Sequence, residues 1–217
     1  MGRLFAFVRL DASALRGNAL SFGLIGLFAT AMAWMGSDKE PLVAVLVPMA
    51  LAAFTPMYFF ASDERGHLDV LFSVLPIGRR QVVAGRFLGI ALLLALIAAA
   101  SAAAAGLIAR AVGTPLPAHD LAAALAMSVA AASVLIGVQV PIYFGLGMAR
   151  TRAWPQLAIL LVFFGGSWAA GRLDGVPQWA TQAVGSAWLP PAATAVAVLV
   201  LLVSCAVSTR LYTRRSL

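Results

Sequence analysis

Six long apolar runs dominate the chain and constrain its fold more than any other feature. They cover residues 19–35, 41–61, 87–112, 121–144, 154–170 and 188–208. A helix of roughly 20 apolar residues is long enough to cross the hydrocarbon core of a bilayer. The sequence therefore predicts an all-α integral membrane protein with six transmembrane helices.

The composition leaves no room for a separate soluble domain. Of the 217 residues, 62% are hydrophobic and 11% are charged, against roughly 25% charged in a soluble domain. We therefore expect one transmembrane domain over residues 1–217. The net charge of +7 comes from basic residues scattered at helix ends, whereas a nucleic-acid-binding protein gathers them in a patch or stripe. The single cysteine, Cys205, lies in an apolar run and is predicted to be a small buried hydrophobe.

The basic residues also predict the orientation of the chain. If both termini are cytosolic, every basic residue except Lys39, Arg110 and Arg172 lies on the cytosolic side, as the positive-inside rule requires. This orientation is typical of a multi-pass protein of the cytoplasmic (inner) membrane. It places Tyr58, Tyr143 and Tyr212 at inner helix ends, where they are expected to join an interfacial belt.

Three segments outside the main spans have predictions of their own. Residues 1–18 form a loosely amphipathic segment that is expected to lie along the inner membrane surface. Small residues near position 33 resemble a signal-peptidase site, but the long basic leader and five later spans favour an uncleaved helix. Residues 171–187 are predicted to be an outer loop, and two interpretations of part of it stay open, a short interfacial helix or a re-entrant one.

The longest charged interruption of the apolar pattern is residues 62–86. Within it, four large apolar side chains recur at helical spacing and so share one helix face: Leu68, Leu71, Phe72 and Leu75. Pro76 ends this pattern, and Arg79, Arg80 and Arg86 precede the next apolar run. The stretch predicts a short amphipathic cytosolic helix followed by a basic turn.

This stretch resembles the first cytosolic loop of ABC-2-type transporter permeases. The matching residues are Asp63 and Glu64, the run from Ser73 to Arg79, Val82 and Val83, and Gly85 and Arg86. The Pro, aromatic and Gly residues around Pro141 to Gly147, followed by Arg150 and Arg152, and the basic end of the chain also resemble this family. Gly78 stands where many relatives have Ser or Thr, so the next helix has a weaker N-cap.

The resemblance implies that the amphipathic helix docks into a groove of an ATP-binding subunit. The residues implied for this contact are Asp63, Glu64, Leu68, Leu71, Phe72, Leu75, Arg79 and Arg80. The implied partners are two ATP-binding subunits, which carry ATP and Mg, and a second permease, most simply another copy of this chain. This chain itself is expected to hold no cofactor or metal. The alternative is a helix that rests on lipid, although its acidic start fits an anionic inner leaflet poorly.

The residue types that do not occur in the predicted spans also bear on the function. The spans carry no Asp, Glu, His or Lys at depth, and ion-coupled carriers usually need such groups. There is no phosphate-binding loop and no H-E-x-x-H motif, and both histidines are predicted in loops. Ser167 follows two glycines, as intramembrane serine nucleophiles do, but no span histidine is available as its base. The chain is therefore predicted to be a transport subunit rather than an enzyme, with its ATPase on another chain.

The polar residues of the spans predict the cargo. Hydroxyl and amide groups are expected to line the path: Thr55, Tyr58, Ser128, Ser133, Gln139 and Tyr143. Such a lining suits an amphipathic peptide, a lipid-like molecule or a hydrophobic antibiotic.

Two further interpretations stay open at this point. The segments that begin at Pro56 and Pro141 share a Pro-x-Tyr-Phe pattern, which indicates either a duplicated gate or a shared need for interfacial tyrosine. For the whole chain, the resemblance implies the permease subunit of an ATP-driven exporter, since the loop does not match those of importers. The alternative is a non-transporting multispan scaffold or assembly factor.

Overall fold

The computed structural model describes residues 23–24, 26–31, 34–35, 40–65, 78–147, 151 and 186–214. Within these ranges the chain is helical and contains no strand. The helices are α1 (Val43–Ala52), α2 (Thr55–Arg65), α3 (Arg79–Val112), α4 (Ala118–Leu146) and α5 (Leu189–Arg214). The described residues between 23 and 35 are helical as well.

Four segments of the described chain are long and apolar enough to cross a membrane. They are Val43–Ala61, which joins α1 to most of α2, Arg80–Val112, Ala118–Leu146 and Leu189–Thr213. They match the second, third, fourth and sixth predicted spans, so the all-helical membrane fold is confirmed. The predicted first span is described in part. The predicted fifth span, the segment 1–18 and nearly all of the 171–187 loop lie outside the described residues, and the count of six stays a prediction.

The helices extend further than the apolar runs that predicted them. α2 continues to Arg65 and α3 already begins at Arg79, so the predicted loop 62–86 narrows to residues 66–78. The 34 residues of α3 make a helix about 51 Å long, against a hydrocarbon core of about 30 Å. α3 therefore projects well beyond the core. At the other end of the bundle, α4 begins at Ala118, so His119 lies in its first turn and not in a loop.

Gly78 occupies the N-cap of α3, as the sequence predicted. Its backbone is extended, with φ −66° and ψ 140°, and glycine offers no side-chain oxygen to the first helical N–H groups. The side chain of Gln81 reaches back and accepts a hydrogen bond from the Gly78 N–H at 3.4 Å. This long contact is one half of a capping box.

α4 and α5 run parallel to each other. Near the start of both helices, His119 contacts the Ser186 carbonyl. Further along, the Ser204 hydroxyl donates to the Gly137 carbonyl. In both contacts the two residues are 67 positions apart in the sequence. A constant separation in sequence means that the two helices advance in the same direction. The chain consequently leaves α4 at one end of the bundle and enters α5 at the other.

Small residues allow α4 and α5 to approach closely. Gly137 has so little space that a Cβ atom there would lie 2.6 Å from Val200 Cγ1, far inside a normal carbon contact. On α3, the small residues Ser101, Ala105 and Ala109 recur every four positions and are all buried. Such a stripe of small residues allows close helix packing.

Parallel α4 and α5 predict which exposed sites share a side of the membrane. In a Cys205→Ser background, Gln81→Cys at the start of α3 and Arg210→Cys near the end of α5 should be labelled by an impermeant maleimide from one side. Thr114→Cys and Ala187→Cys should be labelled from the other side. Labelling of Arg210→Cys together with Thr114→Cys would contradict the parallel arrangement.

The tight contact at Gly137 predicts a cost for one added methyl group. Gly137→Ala should lower the free energy of unfolding by about 1–3 kcal/mol, because the stiff Val200 side chain must move. Gly106 is a matched control, since a Cβ atom there meets nothing within 4 Å. Gly106→Ala should leave stability unchanged or raise it by about 0.5–1 kcal/mol. Thermal unfolding in detergent measures both, and Val200→Ala should relieve Gly137→Ala.

Candidate functional site

Pro56 bends the second membrane segment. Proline lacks the N–H that would bond to the carbonyl of residue 52, and the hydroxyl of Thr55 donates to that Ala52 carbonyl at 2.8 Å instead. One residue on, the Met57 N–H bonds to the Phe54 carbonyl at 3.2 Å, which leaves the Ala53 carbonyl free of a helical donor. Gln139 of α4 fills this place and donates its Nε2 at 3.0 Å.

Pro141 creates a similar gap in α4. Its missing N–H leaves the Gly137 carbonyl without a helical donor, and Ser204 of α5 donates its hydroxyl to that carbonyl at 2.8 Å. Both prolines are therefore accompanied by a hydroxyl that restores the lost bond, as helices in lipid require. Pro48, by contrast, lies inside α1 without interrupting it.

The two Pro-x-Tyr-Phe segments meet in space at one end of the bundle, which we call the coupling end. It is the end at which α2 stops, α3 starts, and α4 and α5 stop. There an aromatic cluster joins three helices: the Phe60 ring centroid lies 5.1 Å from that of Tyr143 and 4.9 Å from that of Phe144, and Phe144 lies 5.2 Å from Tyr212. Such spacings are typical of favourable aromatic pairs.

A buried ion pair adjoins this cluster. The Arg86 guanidinium on α3 pairs with the Asp63 carboxylate on α2, and the side chains are 1% and 13% exposed. The Arg86 guanidinium carbon also lies 5.2 Å from the Phe59 ring centroid and 5.4 Å from that of Phe60, within cation–π distance. The sequence placed Arg86 on the cytosolic surface, and the structure places it inside the protein because its carboxylate partner is there.

The predicted docking residues are only partly described. Leu68, Leu71, Phe72 and Leu75 lie outside the described residues. Glu64 and Arg80 are exposed on the two sides of the loop, and Arg79 begins α3. Asp63 is mostly buried against Arg86. The docking role of all eight residues stays a prediction.

The six predicted path residues lie in different surroundings. Thr55, Gln139 and Tyr143 belong to the contact between α2 and α4, where Thr55 and Gln139 bond to the carbonyls around the bend. Ser133 is fully buried and lies one turn before Gly137, on the face of α4 that packs against α5. Tyr58 and Ser128 are partly buried. In the described part of the chain, the hydroxyls of Ser128, Ser133 and Tyr143 have no hydrogen-bond partner, and a role in a path stays a prediction for all six.

Two of the three tyrosines do not form the expected interfacial belt. Tyr143 and Tyr212 are 2% and 7% exposed because they pack into the aromatic cluster. Sequence analysis missed Phe60, Tyr212 and Ser204 as partners across helices. The one available signal was the repeated Pro-x-Tyr-Phe pattern on α2 and α4, and the duplicated gate stays a hypothesis.

The comparison with protein families decides the identity of this bundle. A family model described as ABC-2 family transporter protein matches residues 11–213. The chain belongs to the ABC-2 transporter family. None of the curated proteins compared with the chain matches it.

Membership in the ABC-2 family confirms the resemblance that was drawn chiefly from residues 62–86. It makes the chain a multi-pass membrane protein and a transport subunit. Permeases of the ABC-2 family normally work with a separate ATP-binding subunit. The coupling end, where α2 ends at Arg65 and α3 begins at Arg79, is therefore the candidate functional site.

The bond that repairs the Pro141 gap predicts a difference between two serines of α5. Ser204→Ala should lower the free energy of unfolding by about 0.6–1.7 kcal/mol, since it leaves the Gly137 carbonyl without a donor in the apolar interior. Ser208 is the matched control, because it lies one turn away, is fully buried and has no hydrogen-bond partner among the described residues. Ser208→Ala should be nearly neutral. Equal effects in thermal unfolding of the two variants would contradict this account.

Proposed function

We propose that this chain is the permease subunit of an ATP-driven ABC exporter. It moves an amphipathic or hydrophobic molecule, such as a peptide, a lipid-like molecule or an antibiotic, across the cytoplasmic membrane. The observation that carries the proposal is the coupling end: within a chain of the ABC-2 family, α2 and α3 flank the predicted amphipathic stretch and are tied together by Asp63 and Arg86.

The loop between α2 and α3 is the surface proposed for ATPase docking. Leu68, Leu71, Phe72 and Leu75 supply its apolar anchors, since large apolar residues contribute most when they fill a pocket of the partner. Glu64 and Arg80 are exposed on either side of the loop, and with Arg79 they supply rim charges that fix the register of docking. Asp63, which pairs with Arg86 inside the bundle, supports the base of the loop.

The energy for transport comes from the partner. ATP and Mg bind to two ATP-binding subunits, and this chain supplies no cofactor. In the described spans, the buried Arg86 is neutralised by Asp63, and Arg110 is exposed near the end of α3, where it can snorkel to the interface. Neither arginine provides the protonatable group at depth that an ion-coupled carrier needs.

A second permease, most simply another copy of this chain, completes the proposed transporter. α3 and α5 expose large apolar side chains along their length, among them Leu92, Leu96, Leu199 and Leu202. A bilayer or a second apolar bundle is the environment that suits such faces. The path between the two copies is lined by the hydroxyl and amide groups named above.

The proposed topology has six spans with both termini in the cytosol. Parallel α4 and α5 support it, because residues 147–185 must then connect opposite ends of the bundle. The predicted fifth span, 154–170, would make that connection. With both termini in the cytosol, the coupling end faces the cytosol, where the ATPase is found.

Docking through the loop predicts that an acidic residue on its apolar face will release the ATPase. Phe72→Asp and Leu75→Asp should abolish co-purification of the ATP-binding subunit in mild detergent, because each buries an unpaired carboxylate in the contact. The measurement is the ratio of ATPase to permease in a pull-down on the tagged permease.

Val112→Asp is the matched control for these variants. It introduces the same group at an exposed apolar position, 37% exposed, at the other end of α3, and should leave the ratio unchanged. If wild type retains no ATPase in detergent or in nanodiscs, the exporter proposal fails and a non-transporting scaffold becomes the better account. If the loop variants retain it, docking lies elsewhere.

A further inference from the structure

The pair formed by Asp63 and Arg86 closes the base of the coupling loop. The two residues lie 23 positions apart, on either side of residues 66–78. Asp63 is in the last turn of α2 and Arg86 is two turns into α3. Any displacement of the loop must therefore act on two helices that are already tied together beneath it.

The burial of this pair is unusual for a contact that serves stability alone. Arg86 is 1% exposed, and taking two charges out of water costs so much that apolar residues of similar size often stabilise a protein equally well or better. The best-attested use of buried charges is to fix register between packed elements. The planar guanidinium, which also lies beside Phe59 and Phe60, makes the arrangement directional.

The pair is continuous with contacts that reach the ends of α4 and α5. Phe60 lies beside Arg86 and also packs on Tyr143 and Phe144 of α4. Phe144 in turn packs on Tyr212 of α5. An unbroken series of short contacts thus runs from the base of the loop to both helices that end at the coupling end.

We propose that Asp63 and Arg86 are positioning residues that make the base of the loop and the ends of α4 and α5 move as one body. This inference rests on the proposed function, in which a bound ATPase displaces the loop. The ion pair transmits that displacement because it keeps α2 and α3 in fixed register over the aromatic cluster. Asp63 thereby acts from inside the bundle, whereas the docking contact is made by the loop.

The test measures the distance between α3 and α5 at the coupling end. Spin labels are placed on Ala84→Cys and Arg210→Cys, both exposed sites, in a Cys205→Ser background. The complex with the ATP-binding subunit is compared without nucleotide and with a non-hydrolysable ATP analogue. Wild type should give one narrow distance that is the same in both states, because the labels sit on one body.

Breaking the pair should uncouple the two labels. Arg86→Met keeps most of the side-chain volume and removes the charge, and it should lose the single narrow distance while the ATPase still co-purifies. Arg110→Met is the matched control, since it removes an exposed arginine from the other end of the same helix, and it should behave as wild type. If Arg86 served stability alone, Arg86→Met would lower the melting temperature. The distance between the two labels would then stay narrow and would be the same with and without nucleotide.

A second variant keeps the proposal falsifiable if Arg86→Met does not fold. Asp63→Leu combined with Arg86→Met removes both charges of the pair and is expected to fold. It should still show a broadened distance, because apolar contacts do not fix register as the ion pair does. A narrow, nucleotide-independent distance in either variant would overturn the proposal.

The exporter proposal and the positioning role of the ion pair can fail separately. If the wild-type permease binds no ATPase, the exporter proposal fails, and the distance in the permease alone still reports whether the pair, through the aromatic cluster, holds α3 in a fixed position relative to α5. If the ATPase binds and the charge-free variants keep the wild-type distance, the exporter proposal stands and only the positioning role fails.

Discussion

A carbonyl group that loses its helical donor inside a bilayer has no water to bond to, and the packing of this protein depends on how such carbonyls are satisfied. Pro56 and Pro141 each remove one donor. Thr55 repairs the first gap within its own helix, whereas Ser204 repairs the second from α5, and Gln139 bonds to the carbonyl beside the Pro56 bend from α4. Two of these three bonds cross between helices. The prolines therefore determine where polar side chains are needed, and the polar side chains fix how the helices sit against each other.

The same prolines precede the aromatic residues that gather at the coupling end. Phe60, Tyr143 and Phe144 follow the two prolines within a few residues and meet across α2 and α4. Arg86 completes this region from α3. Removing one partner of a buried ion pair typically costs about 3–5 kcal/mol, so Asp63 and Arg86 depend strongly on each other. The coupling end is consequently the part of the bundle in which the most kinds of interaction converge.

In the proposed function, this arrangement gives a physical account of how a small permease transmits work from a partner. The buried Arg86 is paired with Asp63, and the chemistry of ATP is proposed to belong to another chain. What the permease contributes is a loop on two helical stems and a packed region beneath it. With the proposed orientation, the length of α3, which exceeds the hydrocarbon core, allows those stems to reach a cytosolic partner.

The sequence by itself determined the class of the protein, the position of four described spans and the family. Those conclusions rest on the hydropathy and motif content of continuous stretches, which tertiary packing does not alter. Only the tertiary structure decided that Pro56 bends its segment while Pro48 does not, that Gln139 bonds to a bend 86 residues away, and that Arg86, Tyr143 and Tyr212 lie inside the protein. An arginine or a tyrosine at the end of an apolar run faces water or lipid headgroups unless a partner from another helix receives it. The identity of that partner depends on which helices pack together and in which direction, and the local sequence does not record either.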